Sequence, residues 1–283
     1  MATIGTNLAA VAATNYLNIN NDNLRDTINQ LSSGSRLAQP YDDAAGTAVA
    51  GNLQARISRL NAAVQGVQDV VSYAQTMDGF LSTLQQITST LSQLTEEMTN
   101  GAFGSTDRAN YTVEASILSG QFQNIYSNAS FNGSTLFAGT TSASNVVITV
   151  DSKGTTDSLT TSNTSSVISN VLNTILSIFT GGASSNLTDN TIASNYIISI
   201  TSALTSITGQ RAIVNANIAK FNFFITNINT ETTNVTTARS RINDLNVANA
   251  STQLSTENIL VQAATAMLAQ ANSTQSNLLS LLR

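Results

Sequence analysis

The residues best suited to chemistry in this chain are two adjacent carboxylates, Asp42 and Asp43, which closely follow the only proline, Pro40. Paired carboxylates can bind a metal ion or take part in acid–base catalysis. No other acidic cluster adjoins this pair, and the sequence contains no histidine. We therefore interpret both residues as helix-start residues, because the positive end of a helix stabilises negative charge. The sequence predicts no catalytic, cofactor or metal site, and hence no enzyme.

The composition excludes further classes of function. The 283 residues contain no His and no Cys, whereas thiolate nucleophiles, Ser-His-Asp triads and Cys/His zinc sites each need one of them. The net charge of −5 argues against a nucleic acid partner, which a basic surface would bind. No stretch approaches the ~18 apolar residues of a membrane span, and the N terminus lacks the basic residues of a signal peptide. We expect neither a membrane segment nor a cleaved signal.

Hydrophobic residues spaced alternately by three and four predict two long helices. The first seam spans residues 53–98 and is broken only at Asp78. The second spans residues 197–242 and skips a turn at Arg211 and at Thr232. At 1.5 Å per residue the first helix would be on the order of 75 Å long. We predict a mainly α protein built as a long antiparallel helical bundle or coiled-coil rod.

Two glycines, Gly66 and Gly79, interrupt the first of these helices. Each costs about 1 kcal/mol of helix stability relative to alanine. Close packing or bending is one explanation, and a tolerated small residue is the other.

Both ends of the chain carry weaker seams of the same spacing. Their members are Leu17, Leu24, Ile28 and Leu31 at one end and Leu254, Val261 and Leu268 at the other. The surrounding residues are mostly Ala, Asn, Gln and Thr, so the apolar stripe is too narrow to hold an isolated helix together in water. We predict that the two ends pair and that they become ordered only on association.

The central region has a different character. A third helix is predicted over residues 107–126, capped by Thr106 or Asp107. The dipeptide Asn132-Gly133 lies between short apolar segments and predicts a β-hairpin.

Beyond the hairpin, residues 140–190 are rich in Ser, Thr and Asn, with a β-like run at 146–150 and an apolar run at 171–179. We predict a small surface-exposed insert that is partly β.

Two distant parts of the chain resemble the terminal signatures of bacterial flagellins. Residues 31–36 read LSSGSR and residues 41–46 read YDDAAG, while residues 237–244 read TARSRIND, residues 267–272 read MLAQAN and residues 278–283 read LLSLLR. The resemblance covers roughly residues 1–139 and 197–283 and fails in between.

The resemblance implies a structural subunit that self-assembles into the flagellar filament, the helical propeller of swimming bacteria. Residues 1–44 and 245–283 would form the coiled coil of the inner filament core. Residues 45–139 and 191–244 would form an outer helical layer, and residues 140–190 a variable surface-exposed insert.

Partners and location follow from the same resemblance. The implied partners are further copies of the chain, the flagellar export apparatus, a secretion chaperone, the filament cap and the hook-junction proteins. The implied location is the extracellular filament, reached through the flagellum's own secretion channel without a cleaved signal peptide.

Charged residues inside the matched motifs are candidates for subunit contacts. They are Arg36, Asp42, Asp43, Arg239, Arg241 and Asp244. In a chain this poor in charge, arginines near the joint between the two helical layers suit pairing with these aspartates across an interface. The alternative is a solvated helix face with weak surface pairs.

Two other functions share some of these features. A hook–filament junction protein has the same helical termini, but that family usually has a different final segment and a proline soon after the paired aspartates. A cytoplasmic coiled-coil regulator would explain the seams but neither terminal signature.

Overall fold

The structure is a computed structural model that describes residues 6–137, 146–159, 162–179 and 190–281. The fold is mainly helical, as predicted. The elements are α1 Leu8–Ser33, α2 Ala44–Thr99, α3 Ser105–Asn128, β1 Ser130–Phe131, β2 Ser134–Thr135, β3 Val146–Thr149, β4 Thr156–Leu159, α4 Ser162–Phe179, α5 Asn190–Asn243 and α6 Val247–Leu281. Residues 138–145, 160–161 and 180–189 of the predicted outer layer and insert, and residues 282–283 of the C-terminal motif, lie outside the described residues.

The chain forms two compact units. Unit 1 comprises Met1–Ser58 and Thr233–Arg283, and unit 2 comprises Arg59–Thr232. In unit 1, α1 packs against α6, and the predicted pairing of the two ends is therefore confirmed. The two helices run antiparallel, because residue 7 bonds to residue 271 whereas residue 35 bridges residue 244.

The buried seam of α2 in unit 2 runs without a break, which corrects the predicted interruption at Asp78. Its members are Leu60, Ala63, Val67, Val70, Ala74, Met77, Leu81, Leu84, Thr88, Leu91, Leu94, Thr95 and Met98. Met77 occupies the seam position beside Asp78. Thr88 and Thr95 can be buried because each hydroxyl donates to the carbonyl four residues earlier, at 2.8 and 2.7 Å.

The polar residues that interrupt the predicted seams of α2 and α5 contact each other. Arg211 of α5 donates from Nε and Nη2 to the two carboxylate oxygens of Asp78 at 2.9 and 3.1 Å, and from Nη1 to Gln85 at 2.8 Å. The hydrogen bonds that Arg211 donates to Asp78, together with the negative charge of that carboxylate, raise the pKa of Arg211. The buried position beside Arg211 is Gln210, whose Oε1 accepts a 3.0 Å bond from Thr164 of α4.

The helix and hairpin that follow α2 form close to the predicted positions. α3 begins at Ser105, and neither Thr106 nor Asp107 is its N-cap, because Gly104 takes that place. Asp107 instead accepts a 3.3 Å bond from the Gly104 N–H. Asn132-Gly133 has φ of 47° and 79° and joins β1 to β2, confirming the predicted turn.

The described part of the insert combines strand and helix. β3 coincides with the predicted run at residues 146–150 and pairs with β4 in an antiparallel hairpin. The sequence of β4 is too polar to predict a strand. The apolar run at residues 171–179 lies in α4, which packs against α3.

Candidate subunit interface

The predicted interface residues gather around a joint within unit 1, which we define as residues 34–46 and 242–245. Gly34 ends α1 with φ of 67°, the left-handed conformation that glycine adopts most easily. The chain then pairs with the end of α5, since the Arg36 N–H donates to the Asn243 carbonyl at 2.7 Å and the Leu245 N–H donates to the Gly34 carbonyl at 3.0 Å. The joint therefore fixes α1 to the α5–α6 connection by main-chain bonds.

Arg36 links two helix ends across this joint. Its Nε and Nη2 donate to the Ile242 carbonyl at 3.1 and 2.9 Å, and Nη2 also lies 3.3 Å from Oδ2 of Asp43. The carbonyls at the end of a helix lack partners within the helix, so the guanidinium satisfies one of them. The structure thus brings Arg36 and Asp43 together within a single chain.

Asp43 caps the first turn of α2, as the helix-start interpretation predicts. Its Oδ1 accepts a 2.7 Å bond from the Gly46 N–H. That bond, together with the hydrogen bond and charge of Arg36, lowers the pKa of the Asp43 carboxyl. A Cβ atom at Gly46 would collide with the carboxylate. The sequence YDDAAG therefore places its glycine where the capping carboxylate leaves no room for a side chain.

The other candidates lie at the surface without ion pairs in the described part of the chain. Asp42 and Arg241 are exposed. Asp244 accepts bonds from the Ser240 hydroxyl and from Asn243, and these bonds, with the nearby charge of Arg239, lower its pKa. A contact of these residues with a neighbouring subunit stays a prediction.

A second surface, which the sequence analysis missed, lies on the terminal helices. The positions buried between α1 and α6 are small or polar, namely Ala13, Thr27, Ala250, Glu257 and Ala264. Leu17, Leu24 and Leu254 of the predicted seams are only half-buried. Ile28 points outward and is 47% exposed, so its predicted place in the seam was wrong, and Thr27 takes it.

Large apolar side chains instead cover the outer faces of this pair. They are Leu8, Val11, Tyr16, Ile19 and Ile28 on α1 and Val247, Ile259, Leu260 and Met267 on α6, with exposed fractions from 45% to 77%. Their signal in the sequence is an apolar residue that falls outside the spacing of the seam. So many exposed apolar residues on one pair of helices indicate a surface for protein contacts.

Two further features concern metal ligands and helix hydropathy in the residues that the structure describes. No group of three or more potential metal-ligating side chains occurs there. No described helix is both long enough and apolar enough to cross a bilayer.

Matches to models of protein families decide which family this chain belongs to. The model of the bacterial flagellin N-terminal helical region matches residues 4–142, and that of the bacterial flagellin C-terminal helical region matches residues 197–282. The chain belongs to the bacterial flagellin family. The two matches lie on either side of the insert, where the sequence resemblance also ends.

Full-length relatives agree with this assignment. The flagellar filament 30.7 kDa core protein of Treponema maltophilum is 30% identical over 282 residues, covering 99% of each chain. A flagellin of Halalkalibacterium halodurans is 29% identical over 280 residues, again with 99% coverage of each chain.

A crystal structure of Bacillus cereus flagellin aligns with a TM-score of 0.48 and 22% identity, over 62% of this chain and 94% of that chain.

Membership of this family makes the chain a structural subunit of the flagellar filament, which serves motility. The full-length relatives favour this function over that of a junction protein or a coiled-coil regulator.

Proposed function

We propose that this flagellin polymerises by burying the outer faces of α1 and α6 against neighbouring copies of itself. One observation carries the proposal: the pair buries small and polar residues in its own seam and leaves its large apolar residues exposed. Removing each such side chain from water contributes roughly 1.5–3 kcal/mol. The pair is therefore an incomplete core, which other copies of the chain can complete.

The electrostatics of the pair suit such burial. From Val247 to Leu281 the only ionisable side chain is Glu257, and it already lies inside the seam. Few charged groups on α6 would lose their water when neighbouring copies cover it. Different surfaces that meet in a repeated, non-closing arrangement give an open helical polymer.

We propose the same layers for the assembled filament as the family resemblance implies. Residues 1–44 and 245–283 form the inner core, residues 45–139 and 191–244 surround it, and residues 140–190 face solvent. The joint lies at the limit of the inner layer, which supports a role in contacts between subunits for its exposed Asp42 and for the nearby Arg239 and Arg241.

Export and capping belong to this proposal as well. The chain has no cysteine, so no disulfide opposes passage through a narrow secretion channel in an unfolded state. Its terminal faces must then be shielded until assembly, which supports a secretion chaperone as a partner. Export apparatus, filament cap and hook-junction proteins complete the set that the resemblance implies.

The test replaces outer-face residues in the full-length chain and measures polymerisation after addition of filament seeds. The double variant Tyr16→Ser/Ile19→Ser removes two exposed apolar side chains from α1. We expect its critical concentration to rise about a hundredfold, since two lost burials are worth roughly 3 kcal/mol or more. Light scattering and electron microscopy provide the measurement.

The matched control is Asn15→Ser/Asn18→Ser, which changes two exposed polar residues of the same helix. Serine and asparagine have similar helix propensities, so the control should polymerise as the unchanged chain does. Equal critical concentrations for the two double variants would contradict the proposal.

A further inference from the structure

A groove of about 420 Å³ lies within unit 2, between α2 and the β3–β4 hairpin. Its apolar lining includes Ala62, Ala63 and Gly66 of α2 and Val147 and Ile148 of β3. Val147 is 60% exposed. The lining favours an apolar occupant.

Gly66 keeps this groove open. A Cβ atom built at Gly66 would meet no atom within 4 Å, so intramolecular packing does not require the glycine. The glycine lines the groove, where any larger side chain would occupy the space. The first of the two helix-interrupting glycines thus has a role that packing within the chain does not supply.

One end of the groove carries a cation with unused donors. Arg59 donates from Nε to the Ser152 carbonyl at 3.1 Å, and its guanidinium forms no ion pair within the described residues. The nearby Asp151 is already engaged, since it accepts bonds from the backbone N–H groups of Lys153 and Thr155 and from the Thr155 hydroxyl. An occupant with a carboxylate beside apolar side chains would match this arrangement.

The α3 helix of the same unit presents such a combination. Val113 and Ile117 are 60% and 67% exposed, and one helical turn separates them. Glu114 lies beside both, is exposed, and forms no ion pair among the residues that the structure describes. We define Val113, Glu114 and Ile117 as the ridge.

Other exposed apolar residues of unit 2 lack the neighbouring negative charge that Glu114 gives to Val113 and Ile117. Phe223 is 75% exposed but lies one turn from Lys220, and Ile198 is flanked by Ile197 and Ser199. Only a carboxylate would complement Arg59, so the ridge is the better partner for the groove.

The ridge cannot reach the groove of its own chain. Thr112, which precedes the ridge, lies 3.8 Å from the sulfur of Met98 on α2. Along α2, the levels of Met98 and Ala63 are about 50 Å apart at 1.5 Å per residue. A ridge that fills the groove must come from another copy of the chain.

We propose that the ridge of one subunit docks into the groove of a neighbouring subunit, with Glu114 facing Arg59. This inference rests on the proposed function and adds a contact outside the terminal helices. Because ridge and groove are different surfaces, the contact is heterologous and repeats along an open polymer.

Cysteine cross-linking tests the contact directly, since the unchanged chain has no cysteine. The full-length variant Ala62→Cys/Ile117→Cys, whose first cysteine replaces an exposed residue of the groove lining, is polymerised and treated with a mild oxidant. We expect a ladder of covalent oligomers on non-reducing gels, because a disulfide needs Cα atoms within about 7 Å. The control Gly79→Cys/Ile117→Cys places the cysteine at another exposed position of α2, outside the groove lining, and should give no ladder.

Filaments without a ladder, or equal ladders in both variants, would overturn the contact and leave the proposed function standing. Failure of the unchanged chain to polymerise would count against the proposed function itself.

Charge reversal provides a second test that needs no cross-link. Arg59→Glu and Glu114→Arg should each raise the critical concentration about fivefold, and the double variant should restore it. A double variant no better than either single one would contradict the pairing, including when the cysteine variants fail to polymerise.

Discussion

The helix pair of unit 1 and the α2 seam of unit 2 share one spacing but differ in the size of the residues they bury. In unit 2 the α2 seam holds mostly Leu, Val and Met, and the twelve largest fully buried side chains of the described residues all belong to this unit, among them Phe122, Phe137 and Phe221. In unit 1 the buried positions between α1 and α6 are Ala, Thr and Glu. Spacing therefore determines which helices pair, whereas side-chain volume determines whether the pair is complete without other copies.

The strongest test of this contrast makes the same substitution, Leu to Ala, in the α2 seam of unit 2 and in the α1–α6 pair of unit 1. Leu84→Ala removes a fully buried side chain of α2 and should cost about 2–5 kcal/mol of unfolding free energy. Leu17→Ala removes a half-buried side chain of α1 and should cost less than about 1 kcal/mol in the monomer. Denaturant unfolding of the monomeric chain measures both, and equal losses would show that the two pairings are equally complete.

An apolar substitution at Glu257 should make the buried positions between α1 and α6 more like the apolar seam of unit 2. Glu257 is 6% exposed, and its Oε2 has no hydrogen-bond partner, while Oε1 accepts a 2.9 Å bond from Gln253. A buried acceptor without a hydrogen-bond partner costs about 1–3 kcal/mol, so an apolar residue at this position should stabilise the fold by a similar amount.

We therefore expect Glu257→Leu to raise the thermal stability of helical structure in the monomer, as followed by circular dichroism. Glu257→Gln, which removes the charge and keeps the shape, should give a smaller gain. A loss of stability in both variants would mean that the carboxylate supports the pair.

The ion pair of unit 2 is expected to contribute less than its apolar seam. The Asp78 and Arg211 side chains are 22% and 28% exposed, and their contact uses both carboxylate oxygens. Asp78→Ala should cost about 1–3 kcal/mol, because the guanidinium loses charge-assisted bonds in a partly buried site.

Asp157→Ala is the matched control, since Asp157 makes a single, more exposed contact with Lys220 at 3.1 Å. Its cost should stay below about 1 kcal/mol. The contrast would be contradicted if unfolding experiments gave the two variants the same loss.

The smallest expected effect concerns the joint and appears as a pH dependence. The lowered pKa of Asp43 means that its contribution is present above the ordinary carboxyl pKa and is lost as the pH falls through the lowered value. Gly46→Ala displaces this carboxylate and should reduce both the thermal midpoint near neutral pH and its decline in acid. Gly51→Ala, at an open position of the same helix, is the control and should leave the acid decline unchanged.

Much of this fold could be predicted because helical spacing is a strong signal. The long helices, the Asn132-Gly133 hairpin and the pairing of the ends all follow from periodicity and turn chemistry. The details that failed involve polar residues, since Thr88 and Thr95 fill seam positions by bonding their hydroxyls to their own helix. A pattern built on apolar residues alone passes over such positions.

The candidate interface was less accessible from the sequence. Asp43 could be interpreted as a helix-start residue, but its bond to Gly46 and its pairing with Arg36 depend on the fold of the joint. The ridge and the groove combine side chains from separate elements, and their exposure depends on which faces the seams bury. Residues that bind a neighbouring copy show no periodicity of their own.

Hydrogen exchange of the free and polymerised chain most directly tests whether the terminal helices are completed by other copies. We predict that residues 60–98 are well protected in both states. Residues 8–33 and 247–281 should exchange quickly in the free chain and become strongly protected in the polymer. Terminal helices that are as protected in the free chain as in the polymer, or that stay unprotected in the polymer, would contradict assembly through their outer faces.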